Sequence, residues 1–226
     1  MAVLYCGLQK VTPVIGGGGG SQGKYQLLQR IKDDSNNEIG TVCGFFTDAN
    51  DVKYAVVCLD AQYRLANAVW CSNNSAVTDM PIYNYANETS WYEATETATF
   101  NTQKILDYCT ANSYTSTACT HCRSQSFTID GITYYGQLPN MRELFDMWSN
   151  RTQIEQLDIT ASSYSSVNFS TIKRQIFSSN QNSNNFVWGF FGTNSWSGEY
   201  GDGTIIGRNK SWAKTCAFPV LELPNA

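Results

Sequence analysis

The chain has 226 residues, 42% of them hydrophobic and 13% aromatic, which is enough apolar surface for the core of one large domain and too much for a disordered chain. Fifteen Lys and Arg stand against 19 Asp and Glu, and the formal charge is −4, so no nucleic-acid partner is implied, because phosphate neutralisation needs clustered cations. No apolar run approaches the roughly 18 residues a membrane-spanning helix requires, and membrane insertion is not expected.

Met1 to Cys6 carry no basic start, continuous apolar segment or small-residue cleavage site of the secretory kind, so the mature chain is expected to start near Met1. Residues 1–22 read as a lead. Within it, residues 11–15 suit an edge strand containing Pro13 or an extended attachment arm, and Gly16 to Gly20 form a glycine joint too costly in backbone entropy for a regular element. Gly18 to Lys24 match the spacing of a phosphate-binding loop, yet Tyr25 stands where a magnesium-binding hydroxyl is needed, and the linker reading is preferred. The domain is expected over residues 23–226. Its cysteines belong to a set of eight (Cys6, Cys43, Cys58, Cys71, Cys109, Cys119, Cys122, Cys216), expected to be reduced and buried rather than paired, since no export signal is seen and a chain this long needs no staples.

Residues 42–47 and 54–59 are β-rich runs flanking Asp48-Ala49-Asn50-Asp51, which predicts a hairpin. Asp48, Asn50 and Asp51 could also ligate calcium, but the remaining oxygens and closing acid of such a loop are missing. Ala98, Thr102, Ile105, Leu106 and Cys109 recur at helical spacing and predict an amphipathic helix. Cys119, His121 and Cys122, with Cys109 ten residues earlier, are the best zinc candidates, but no second pair at standard spacing accompanies them; buried thiols are expected instead. His121 is the only histidine, so any Ser–His–Asp or Cys–His apparatus would rest on this one ring. Among the 19 acidic residues no local pattern singles out an acid–base pair.

A second helix is predicted from Asn140, which caps it after Pro139, with Glu143 reaching back to the cap and Met141, Leu144, Phe145 and Trp148 as the buried face. After residue 160 the composition shifts to Ser, Asn and Gly with scattered aromatics. Apolar pieces at 186–191, 204–206 and 217–223 alternate with glycine turns, which suits a small twisted sheet with long loops. The class is α+β, two helices packed on small mixed or antiparallel sheets. Asn-x-Ser/Thr sequons at Asn73, Asn87, Asn150, Asn168 and Asn209 carry little weight without a secretory signal. The stretches 178–188 and 194–200 mix Asn and Ser with Phe, Trp and Tyr, the combination antibody paratopes use; the alternative is a solvated loop with its aromatics turned inward, and Trp188 suits the core better.

Five landmarks occur in order: Gln137-Leu138-Pro139-Asn140-Met141-Arg142-Glu143-Leu144, Phe177-Ser178-Ser179-Asn180-Gln181, Trp188, Gly207-Arg208-Asn209-Lys210, and Phe218-Pro219-Val220-Leu221-Glu222. Over residues 40–223 the chain resembles the C-type-lectin-like variable proteins of diversity-generating retroelements, a group that includes bacterial adhesin domains related to the C-terminal domain of a Legionella collagen-like protein. It departs from them at Phe177, where relatives often carry Trp, and at Ala217-Phe218-Pro219, where Val-Arg-Pro is usual. The resemblance implies a C-type-lectin-like fold that is not an enzyme, needs no cofactor or metal, and displays altered side chains from about residue 177 to 215.

Further implications are a protein or glycan ligand on a cell surface, compatibility with a homo-oligomer, and a bacteriophage setting, in the virion or in the cytoplasm before assembly. A bacterial surface adhesin of the same fold and a hydrolase with an unrecognised carboxylate pair are the alternatives. Calcium-dependent sugar binding is not implied, because Pro139 follows Leu138 where an acidic or amide residue is expected, and Cys216 has no partner matching the cysteine pair of the related formylglycine-generating enzymes. The expected contact set is Phe177, Asn180, Asn182, Asn184, Phe186, Trp196, Tyr200, Asp202, Asn209, Ser211 and Trp212. Strand alternation would turn Asn180, Asn182, Asn184 and Phe186 to one face and Val187 inward.

Overall fold

The computed structural model describes residues 23–83, 95–172, 174–191, 205–213 and 215–225, so the lead and glycine joint at 1–22 lie outside the described residues. The β-branched and aromatic runs near the start form three antiparallel strands, Arg30–Lys32 (β1), Glu38–Thr47 (β2) and Lys53–Leu59 (β3). The expected hairpin is β2–β3. Its turn is built by Asp48, whose Oδ1 accepts from the backbone N–H of Asn50 at 2.8 Å and of Val52 at 3.0 Å, while Asp51 takes the left-handed conformation at φ 61°. Asp48 therefore serves its own loop.

The continuous apolar run of β3 is explained by burial on both faces. Ala55, Val57 and Leu59 face a cluster with Ile39, Phe127, Leu221 and Leu223, whereas Val56 and Cys58 face the main core. The hairpin of Ser126–Ile129 (β5) and Ile132–Tyr135 (β6) contributes Phe127 and Ile129 to the first of these clusters. Val220–Pro224 (β11) pairs with β3, giving the order β1-β2-β3-β11. Both described ends of the chain meet here, because the Asn225 side chain accepts from the backbone of Tyr25 at 2.8 Å and its N–H donates to Lys53 O at 2.8 Å.

The second sheet contains Leu65–Ala68 (β4), Gln175–Gln181 (β7), Phe186–Phe191 (β8), Ile205–Asn209 (β9) and Thr215–Ala217 (β10), in the order β4-β10-β7-β8-β9. It is mixed, since β10 runs parallel to β7 and the other pairs are antiparallel. The architecture is α+β. The described residues form four helices rather than the two expected: Ala98–Ala111 (α1), Thr117–Ser124 (α2), Met141–Ser149 (α3) and Arg151–Leu157 (α4). The two extra helices are short. The eight-residue α2 is mostly Thr, Cys, His and Ser, which are weaker helix formers, and begins at a Ser116 cap, and Asn150 both ends α3 and starts α4, dividing one helical run. No described helix is long and apolar enough to cross a membrane.

The capping box of α3 is present: Asn140 Oδ1 accepts from Glu143 N at 2.8 Å, and Glu143 Oε2 accepts from Asn140 N at 2.8 Å. Its buried face is Met141, Leu144, Met147 and Trp148, which corrects the expected set, because Phe145 is only half-buried at the margin, its ring 6.2 Å from that of Phe190. Gly44 lets this helix approach β2, since a Cβ there would stand 2.4 Å from the Asp146 carboxylate. The main core lies between α3 and the two sheets, where Trp148 stacks on Phe190 at 5.9 Å and Phe169 meets Phe218 edge-on at 5.1 Å. A separate core under α1 and α2 gathers Trp70, Ile105, Leu138, Phe177, Val187 and Ala217.

Candidate functional site

The polar residues of β7 are interior. Phe177 and Asn180 belong to this strand and Asn182 follows it; all three are buried, which corrects their assignment to an exposed binding face. Two physical reasons apply. The strand is covered on both sides, with Ile176 in the main core and Phe177 in the core under α1 and α2. Its register against β8 also jumps: Phe177 faces Gly189 and Gln181 faces Val187, so residues 178–180 stand opposite Trp188 alone and the two-residue alternation breaks.

Each amide and hydroxyl in the bulge has structural work. Asn180 Oδ1 accepts from Met141 N at 2.6 Å at the start of α3, Ser179 N donates to Pro139 O at 2.7 Å, and Asn101 of α1 donates to Ser179 Oγ at 3.1 Å. Ser178 Oγ donates to Trp188 O at 2.9 Å, while Ser178 O accepts from the Trp70 indole at 2.9 Å. Gln181 is the hub. Its Oε1 accepts from Val77 N at 2.8 Å and from Lys210 Nζ at 2.6 Å, its Nε2 donates to Val77 O at 3.0 Å and Met80 O at 3.3 Å, and its backbone carbonyl accepts from Tyr83 N at 2.9 Å. Lys210 also donates to Ser75 O at 2.9 Å and lies 4.8 Å from the centre of the Trp70 ring; burial pulls its ammonium down to about 8.

On this polar frame sit two exposed turns. Asn184, Asn185 and Phe186 are exposed between β7 and β8, and Ser211, Trp212 and Ala213 are exposed after β9, with Asn209 half-buried beside them. Phe186 and Trp212 keep 40% and 37% of their surface in solvent, large values for aromatics and the reason they qualify as contact anchors. The turns are adjoining. Phe186 is the cross-strand neighbour of Asn209, Lys210 N donates to Asn185 O at 3.1 Å, and Trp212 N donates to Asn209 O at 3.1 Å. Asn209 Oδ1 accepts from Ser211 N at 3.0 Å and Ser211 Oγ at 2.7 Å, and Asn74 reaches Ser211 N at 3.2 Å from the segment after β4.

The structure thus brings Asn184, Phe186, Asn209, Ser211 and Trp212 together. Trp196, Tyr200 and Asp202 lie outside the described residues. Sequence reasoning missed Asn74, Gln181 and Lys210 as the groups that hold these turns. The Asn74 side chain falls inside a sequon already noted, but nothing in the linear order ties it to residue 211.

His121 Nε2 lies 2.8 Å from Tyr63 O, fixing α2 to the turn at 61–63, while Cys119 and Cys122 are buried in the core under α1 and α2. Among the described residues no group of three or more His, Cys, Asp and Glu is placed to hold a metal ion. One carboxylate pair does exist. Glu222 caps α1, its Oε1 accepting from Ala98 N at 2.7 Å and its Oε2 from Thr99 N at 3.0 Å, and it neighbours Glu143. Burial and then the Glu222 charge push the Glu143 carboxyl well above its ordinary range. Both residues are enclosed and occupied with helix N-termini. A shallow groove along α1, lined by Thr97, Phe100, Gln103, Lys104, Asp107 and Arg123, contains no residue of the candidate set. Comparison of the chain with family models, with curated proteins and with solved structures returned no match.

Proposed function

We propose that this chain is a ligand-binding display protein with a C-type-lectin-like scaffold, diversified by a retroelement and carried on a bacteriophage particle, and that it recognises a protein or glycan on a cell surface. The observation that carries the reading is the pairing of two exposed aromatic-bearing turns, Phe186 on one and Trp212 on the other, joined by backbone hydrogen bonds and seated on buried polar side chains. Exposed aromatics surrounded by Asn and Ser supply rigid contact area together with adaptable hydrogen bonding. The frame beneath them is what a variable surface requires: Gln181, Lys210 and Asn180 hold the backbone, and residues 184–186 and 211–213 are exposed above it.

The order of the resemblance landmarks supports the lectin-like scaffold, as does the meeting of both described chain ends at one sheet. The test is binding of labelled protein to candidate host cells by flow cytometry. Phe186→Ala and Trp212→Ala should each weaken binding by roughly 30-fold, the size of a hot-spot loss, with the melting temperature nearly unchanged. Undiminished binding by both variants refutes the surface assignment. A reverse-transcriptase gene and a near-identical repeat of the region beside the coding sequence are expected, and their absence refutes diversification.

A further inference from the structure

Cys71 lies just beyond β4 and Cys109 lies in the last turn of α1, and their sulfurs are 3.6 Å apart inside the core under α1 and α2. The surrounding backbone holds the two segments together independently of the thiols. Ser72 N donates to Thr115 O at 2.8 Å, Thr115 N donates to Ser72 Oγ at 2.9 Å, and Tyr114 N donates to Cys109 O at 2.8 Å. Cys71 N in turn donates to Lys210 O at 3.1 Å, which links this spot to the turn carrying Ser211 and Trp212. A disulfide needs sulfurs about 2.05 Å apart, so the pair must close by about 1.5 Å from its present 3.6 Å, a movement within the reach of side-chain rotation.

We propose that Cys71 and Cys109 form an oxidative cross-link site, converted by a peroxide-class oxidant into a disulfide that ties the segment after β4 to the end of α1. Cys71 is the attacking sulfur. The Cys109 thiol donates to it, the Asn73 backbone adds a further hydrogen bond, and the buried Lys210 ammonium lies near, which together hold Cys71 down to about 6 and favour its thiolate. Both cysteines are buried, so hydrogen peroxide reaches them through local opening of the segment after β4. The Cys71 thiolate attacks one peroxide oxygen, the O–O bond breaks, and Cys71 becomes a sulfenic acid while hydroxide leaves and takes up the proton that Cys71 released. Cys109 sulfur then attacks Cys71 sulfur, the S–O bond breaks, and the departing hydroxide takes the Cys109 proton. Two thiols and one peroxide thus give one disulfide and two waters, the thiols losing two electrons and the peroxide gaining two. Cys119, in the same cluster, has its thiol pushed up to about 12 by burial and is the internal control.

The experiment treats the full chain with hydrogen peroxide, alkylates it under denaturing conditions, digests it without reduction and maps the peptides by mass spectrometry. A linked peptide containing Cys71 and Cys109, lighter by two hydrogens than its thiol components, is expected. The melting temperature should rise by roughly 5–15 °C, reversibly with dithiothreitol, because the link closes a loop between residues 38 positions apart. Cys71→Ser and Cys109→Ser should each abolish the peptide, and Cys119→Ser should retain it. Should a serine variant fail to fold, the peptide map of the unaltered protein still decides. Linkage of Cys71 to any other cysteine, or accumulation of sulfinic acid or unreacted thiol at Cys71 and Cys109, overturns the proposal.

Discussion

Glu143 shows how one side chain is set by its surroundings. It closes the capping box of α3 from a fully buried position beside Glu222, and both desolvation and that neighbouring charge favour its protonated form. The sign follows from the two states. In the unfolded chain the carboxyl ionises near the ordinary glutamate value of 4.5, whereas burial and the neighbouring Glu222 charge keep the proton on it to higher pH in the folded protein. Its contribution to stability is therefore fully present below about pH 4.5 and is lost as pH rises toward the folded pKa. Glu143→Gln keeps an acceptor for Asn140 N and cannot ionise in either state. Chemical denaturation should show the variant gaining on the unaltered protein between pH 4 and pH 8, by at most about 1.4 kcal/mol per pH unit. A difference that stays flat across that range would show that Glu143 is already ionised in the fold.

At the scale of the element, β7 shows that an Asn-rich strand can be a frame rather than a surface. Asn180 and Asn184 are four residues apart in one composition-biased stretch, yet the first caps the N-terminus of α3 and the second is exposed. Asn180→Ala should cost about 1–2 kcal/mol, because it leaves Met141 N without its acceptor inside the core, whereas Asn184→Tyr should cost less than about 0.5 kcal/mol. Urea melts of the two variants check this, and equal losses would remove the distinction between frame and surface. The hairpin at Asp48 and the capping box at Asn140 were legible in the sequence because each is a local device, complete within a few residues. The burial of Phe177, Asn180 and Asn182 was not, because it depends on a bulge and on partners from Pro139, Trp70 and Asn101, none of them local. Of the contact set, Asn184, Phe186, Ser211 and Trp212 are exposed, but strand alternation grouped the first two with Asn180 and Asn182, and that grouping fails because the strand ends in a turn between them.

At the scale of the molecule, β11 connects parts that the chain order separates. It pairs with β3 along residues 220–224 and bridges Gln137 through Val220. Glu222 supplies the acceptors for the first turn of α1, and Asn225 holds both Tyr25 and Lys53. Leu221 and Leu223 fill the cluster under β5 and β6, while Val220 points into the main core. Removal of residues 220–226 would expose the edge of β3, open two clusters and leave the Ala98 and Thr99 N–H groups of α1 without their acceptor at one stroke. The truncated chain should therefore lose its cooperative thermal transition and expose apolar surface to a hydrophobic dye, as a loosely packed state does. Replacing residues 184–186 with an unrelated polar segment of equal length should leave the transition cooperative, because those positions contribute exposed turn and not core. A sharp transition in the truncated chain, or its loss in the turn replacement, would show that the division between an invariant frame and a replaceable surface has been drawn in the wrong place.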